Sequence, residues 1–179
     1  MSIDKFLSIL AKPGLKHNCF YHFSDTRNLP GIREHGLLSM RELKARGLAP
    51  VAPGGNQHSF EADEMSGMDA YVHLCMLNEH PMEYLARKDG RIEKSVFLKI
   101  NPEVLRADGV LMTAEVSNKS GVEARPVAEV LPEVDLKVIY TRTDWKDAAV
   151  KERLKAAKKY EILVPNRVWT QMILNMPNG

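Results

Sequence analysis

Apolar residues along this chain fall in short runs, some at helical and some at strand spacing. Ile3, Phe6, Leu7 and Leu10 recur at three- and four-residue steps, which predicts a short amphipathic helix ended by Lys12-Pro13-Gly14. Cys19-Phe20-Tyr21-His22-Phe23 is a compact aromatic run of strand type. Leu29 to His35, followed by Gly36, has the form of a helix closed by a glycine. Ser39-Met40-Arg41-Glu42 has capping-box spacing and opens another short helix that stops at Gly47. From Ala49 to Met68 the chain has two prolines, three glycines and little periodicity, which predicts a functional or mobile loop. Gly54-Gly55 within it reads as a turn.

Further strands are expected at Tyr71–Met76, Ser95–Ile100, Gly109–Thr113, Val134–Tyr140 and Glu161–Val164, the last stopped by Pro165. Helical segments are expected at Pro81–Arg87, at Glu103–Arg106, and from a cap at Asp144 to about Lys159. Short strands scattered among short helices, without strict β-α-β alternation, predict an α+β fold rather than a doubly wound sheet. There is no internal repeat and no clean linker, so residues 1–179 read as a single domain.

Composition narrows the class. Of 179 residues 44% are hydrophobic and 27% charged, which excludes disorder as the main state. No apolar run is long enough to cross a membrane, and the first residues are too short an apolar stretch for a signal peptide. A cytoplasmic protein with no membrane partner is expected. Cys19 and Cys75 do not make a disulfide framework and read as reduced thiols. The net charge of +2 permits nucleic-acid binding only through a local patch. Residues 144–159, with six basic side chains against three acidic ones, are the candidate surface, although such a run is commonly just a solvated face.

Several chemistries have no support. There is no G-x-G-x-x-G after a strand and no phosphate loop of the G-x-x-x-x-G-K-S/T type. The six histidines are dispersed, and His73-x-Cys75 lacks a C-x-x-C partner, so no metal is expected. Neither cysteine sits in a protease-like context. What remains is a set of polar residues on strands: His22, Ser24 and the nearby Asn28, then Tyr71 and His73, then Glu161. Alone, Glu161 reads as a strand-edge charge beside a lysine, and His22 as a satisfied core histidine.

Tyr21-His22-Phe23-Ser24-Asp25-Thr26-Arg27-Asn28-Leu29-Pro30-Gly31-Ile32, then His35-Gly36-Leu37-Leu38-Ser39, resembles the opening of the DarT family of DNA ADP-ribosyltransferase toxins. Asp69-x-Tyr71-Val72, Pro81-Met82-x-Tyr84 and Lys159-Tyr160-Glu161-Ile162-Leu163-Val164 look like its later landmarks, in the right order. The resemblance implies an ADP-ribosyltransferase fold, with two small packed sheets around an NAD cleft and short flanking helices. It implies Glu161 as the catalytic residue, and His22, Ser24, Asn28, Tyr71 and Arg46 as NAD-binding residues. Single-stranded DNA is the implied acceptor, and a macrodomain antitoxin the implied partner.

The chain departs from the thymidine-modifying branch at three places. Where that branch has a Y-V-P-F-Y-F run, this chain has Tyr71-Val72-His73-Leu74-Cys75-Met76. Where it has R-S-P-M, this chain has Glu79-His80-Pro81-Met82. The arginine that the branch carries in the preceding loop has no counterpart, since Gly47 to Met76 contains no arginine or lysine; Arg41 or Arg46 would have to take its role. The guanosine-modifying branch, RNA or protein acceptors, and a non-catalytic NAD- or nucleic-acid-binding module therefore stay open.

The chemistry suits these residues. Breaking the nicotinamide–ribose bond builds positive charge on the ribose, as in glycoside hydrolysis, and a carboxylate can stabilise it. The same carboxylate can take the proton that a nucleobase nitrogen must lose.

Overall fold

The computed structural model describes residues 1–144 and 146–176. Strand-forming runs lie where aromatic and β-branched residues cluster, and the helices between them are short, all but α2 and α6 being capped by a side chain at the N-terminus. In chain order the elements begin with α1 (Ile3–Leu10), β1 (Phe20–Asp25), α2 (Leu29–His35), β2 (Leu37–Leu38) and α3 (Met40–Ala45). They continue with α4 (Gln57–Ser66), β3 (Tyr71–Cys75), α5 (Pro81–Lys88), β4 (Ser95–Ile100), β5 (Leu111–Thr113) and β6 (Arg125–Pro126). Last come α6 (Val127–Val130), α7 (Leu136–Tyr140), α8 (Ala148–Ala157), β7 (Glu161–Pro165) and β8 (Arg167–Val168).

Six strands form one antiparallel sheet in the order β4-β1-β3-β7-β5-β6, and β2 pairs with β8 in a separate two-stranded sheet. The α+β expectation holds. The core is built from Phe20, Leu74, Leu98, Ile100, Met112 and Ile162 on the sheet, with Phe6 of α1 packed over Phe20 and Tyr140. No helix among the described residues is long and apolar enough to cross a membrane.

Three expectations about elements are corrected. The 49–68 stretch contains α4, whose N-cap Asn56 accepts the Ser59 N–H and whose end is marked by left-handed Gly67. Its sequence carries no apolar stripe, so periodicity could not show it. Val134–Tyr140 is not a strand: Asp135 caps α7, and Val138, Ile139 and Tyr140 are buried consecutively instead of alternately. The helix expected from Asp144 starts at Ala148, because Asp147 caps it by accepting from the Ala149 and Val150 N–H groups.

One glycine is fixed by geometry. Gly36 ends α2 at φ +77°, and a Cβ there would stand 2.4 Å from the Val168 carbonyl oxygen. This close approach lets α2 end where β2 meets β8.

Candidate active site

The site opens where two central strands part. β1 runs beside β4 for six residue pairs but meets β3 only at Tyr21–Cys75. Continuing that register would set Phe23 beside His73. Instead the strands splay, and the His22 ring enters the gap, its Nδ1–H donating to the His73 carbonyl at 2.9 Å. The carbonyl oxygen accepts, so Nδ1 carries the hydrogen and Nε2 is left as an acceptor. Burial pushes the His22 ring down from its ordinary value, only partly offset by that hydrogen bond, which keeps it neutral at pH 7.

Glu161 lies next along the sheet, at the head of β7, directly opposite Cys75 of β3 and Thr113 of β5. It is 4% exposed, which removes the strand-edge reading. Its Oε2 accepts the Ser117 backbone N–H at 3.0 Å and lies 3.5 Å from His73 Nδ1, while its Oε1 lies 3.4 Å from His80 Nε2. Burial alone would raise the carboxyl; the hydrogens of His73 and His80 outweigh it and hold Glu161 well below the usual carboxylate range. Burial likewise disfavours a charged His73, but Glu161 and Asp63 prevail and the ring is pushed up to about 9. An ionised carboxylate in a cleft wall is the feature a developing cation needs.

The cavity over these strands measures about 590 Å³, within the range of ligand pockets, and His22, Ser24, Asn28, Tyr71 and Glu161 all line it. Five of the six residues expected from the sequence therefore meet in one cleft. Arg46 is not among the lining residues; it is the C-cap residue of α3, with its guanidinium on Glu42 at 2.8 Å. Arg41, the other option, is held by Asp69 at 2.6 Å. The arginine in the wall, alone of its type among the described residues, is Arg27, which is bound by Asp25 and Glu93. Arg27 stands on the turn directly after β1 and not in the loop before β3, where the resemblance places the arginine.

Asn28 is in place, but its amide is already engaged. Its Nδ2 donates to the Ala52 carbonyl at 2.7 Å and to Ser24 Oγ at 3.1 Å, and its Oδ1 accepts the Ala52 N–H at 3.0 Å. Asn28 thus clips the 49–55 segment over the cleft. Arg91 adds a second tie by donating to the Gly54 carbonyl. Gly54 and Gly55 press on the rings of Phe23 and Phe60, where added Cβ atoms would stand at 3.0 and 2.6 Å, so this turn is shaped by packing.

His80, Ser117 and Asp63 were not expected. The first is the N-cap residue before Pro81; the second comes from a polar loop without regular structure; the third lies on the helix that periodicity missed. Among the described residues no cluster is arranged to hold a metal ion.

The comparisons with known proteins agree with this geometry. The family model described as "ssDNA thymidine ADP-ribosyltransferase, DarT" matches residues 21–176. No curated protein sequence matches. Thermus sp. 2.9 DarT in complex with ADP-ribosylated ssDNA is similar in structure, with a TM-score of 0.63 at 20% identity over 86% of this chain and 78% of that one. The same protein in complex with NAD+ gives a TM-score of 0.56 at 19% identity over 88% and 80%. Thermosipho africanus DarTG in complex with ADP-ribose gives 0.64 at 16% identity, covering 87% of this chain but 42% of that one. The match over residues 21–176, on a cleft walled by His22, Tyr71 and a buried Glu161, places the chain in the DarT family of NAD-dependent ADP-ribosyltransferases.

Proposed function

We propose that this chain transfers ADP-ribose from NAD to a base of single-stranded DNA, as the cytoplasmic toxin of a pair whose antitoxin is a macrodomain that removes the mark. The observation that carries the reading is Glu161: buried, ionised, and in the same cleft as His22 and Tyr71. The Nε2 acceptor of His22 suits a ribose hydroxyl, and the Tyr71 ring suits the flat face of nicotinamide. As the bond from ribose C1′ to nicotinamide breaks, the Glu161 anion stabilises the ribose cation. The base nitrogen then bonds C1′, its proton passes to the carboxylate, and nicotinamide leaves neutral. Support for the DNA acceptor comes from the family description and from the Thermus protein's complex with modified single-stranded DNA.

The test is labelled NAD incubated with pooled single-stranded DNA, duplex DNA or RNA, beside a Glu161→Ala variant. Label is expected on single-stranded DNA, with the variant slower by about 10²–10³-fold or more. Label on RNA or on the protein alone would overturn the acceptor, and full activity in the variant would overturn the assignment of Glu161. Oligonucleotides differing at one base then identify the base modified, and a macrodomain added to the product tests the proposed partner.

A further inference from the structure

Two histidines close on Glu161, one at each carboxylate oxygen, and each is fixed by a bond of its own. His80 caps α5: its Nδ1 accepts the Met82 N–H at 3.2 Å, so the hydrogen sits on Nε2, the atom 3.4 Å from Glu161 Oε1. The His80 side chain is 3% exposed, its ring stacks on Phe23 at 5.7 Å, and Nε2 makes no closer hydrogen bond. His73 Nε2–H donates to the Met68 carbonyl at 3.1 Å, and its Nδ1 faces Glu161 Oε2 and Ser117 Oγ, the latter at 3.2 Å. With Nε2 already a donor, Nδ1 can face a carboxylate favourably only if it too carries hydrogen, which makes the ring a cation. The two rings occupy two of the places where the chain leaves the motif lettering given above: the third position of the Tyr71–Met76 run, and the residue before Pro81.

We propose that His73 and His80 are positioning residues that clamp the Glu161 carboxylate, and that the charge on His73 restrains it. His80 sets where Oε1 points. The His73 cation neutralises part of the field that Glu161 directs at the ribose and makes the carboxylate a poorer acceptor for the nucleobase proton. Loss of that charge strengthens both functions at once, so transfer speeds up as His73 gives up its proton. The titratable groups facing His73 are Glu161 from β7, Asp63 from α4 and His22 from β1; those facing Glu161 are His73, His80, Asp63 and Cys75. Of these, His73 is the group placed to change charge in the alkaline range without losing its place in the site.

This inference rests on the transferase reading, so its test has one arm that needs no turnover. In the first arm, ring-proton NMR follows the titration of His73 in the wild-type protein and in Glu161→Gln. The clamp predicts a clear downward move in the variant, and an unchanged titration overturns it. In the second arm, kcat and KM for NAD are measured from pH 6 to 10 for the wild type, His73→Asn, His80→Gln and His80→Ala, with unfolding temperatures alongside. The wild-type kcat is expected to rise through an alkaline ionisation, and His73→Asn, which keeps a donor but no charge, to flatten that rise. His80→Ala is expected to lower kcat by about 10–100-fold with KM within about threefold, and His80→Gln to recover part of the loss. A pH profile in His73→Asn parallel to the wild type, or a His80→Ala loss confined to KM, overturns the proposal. If the NMR shift is found but no nucleic acid is labelled, the transferase reading fails while the clamp stands.

Discussion

At the residue scale, the pairing of His73 with Glu161 predicts how stability depends on pH. Glu161 is held below its ordinary range, so its contribution is present at neutral pH and is lost as pH falls through that lowered value. His73 is raised, so its contribution is full below its ordinary value of about 6.5 and disappears as pH rises toward about 9. The two partners support each other best in mildly acid solution. The unfolding-temperature gap between the wild type and His73→Asn should therefore be largest near pH 6 and shrink by pH 9. A gap that stays constant across this range would show that the ring contributes packing alone. Asp25 shows the contrasting use of a buried carboxylate. It too is held below the ordinary range, chiefly by Arg27, and it accepts the Glu93 N–H at 2.7 Å, which ties the end of β1 to the turn before β4. Its oxygens are occupied by structure, whereas Glu161 faces the cleft.

At the scale of elements, the cleft exists because β1 leaves β3 after one residue pair, and its cover exists because the Asn28 side-chain amide holds the Ala52 backbone by two hydrogen bonds. A segment pinned by few contacts opens at little free-energy cost, so this clip should govern entry of NAD more than chemistry. Asn28→Ala is expected to raise KM for NAD by about tenfold with kcat changed less than about threefold. Steady-state kinetics on a single-stranded oligonucleotide decide it. A loss confined to kcat would mean that Asn28 touches the reacting part of NAD after all. Behind the clip, Leu43, Phe60 and Asp63 border the same cavity, so α3 and α4 form one wall of the site and not merely a connection.

At the scale of the whole molecule, three of the six cations in the basic run before β7 are paired with other parts of the fold. Arg153 is held by Asp135, Lys158 by Glu79 and Lys159 by Glu115. Arg153 ties α8 to the cap of α7, and Lys158 and Lys159 tie the segment after α8 to the loops that follow β3 and β5, which leaves these three cations little freedom to contact phosphate. Arg153→Ala should lower the unfolding temperature only slightly, since the pair is partly open to water. The same variant should leave the salt dependence of oligonucleotide labelling unchanged. A reduced salt slope would identify Arg153 as a phosphate contact.

The sequence by itself determined the fold class, the strand carrying His22, the strand beginning at Glu161 and the family, because these depend on local runs of aromatic and apolar residues and on short motifs. It could not show α4 or α7, whose signals lie in single capping residues and not in periodicity. Nor could it show that Glu161 is buried, that Asn28 is spent on Ala52, or that Arg46 turns away while Arg27 enters the wall. These depend on where β1 and β3 part and on which side chains reach across that opening. His73 and His80 make the point most sharply. In the sequence they are two dispersed histidines; only the antiparallel register of β3 with β7 and the cap of α5 bring both rings onto one carboxylate. Contacts between residues eighty or more positions apart have no local signature, and it is such contacts that set the charge on the group proposed to do the chemistry.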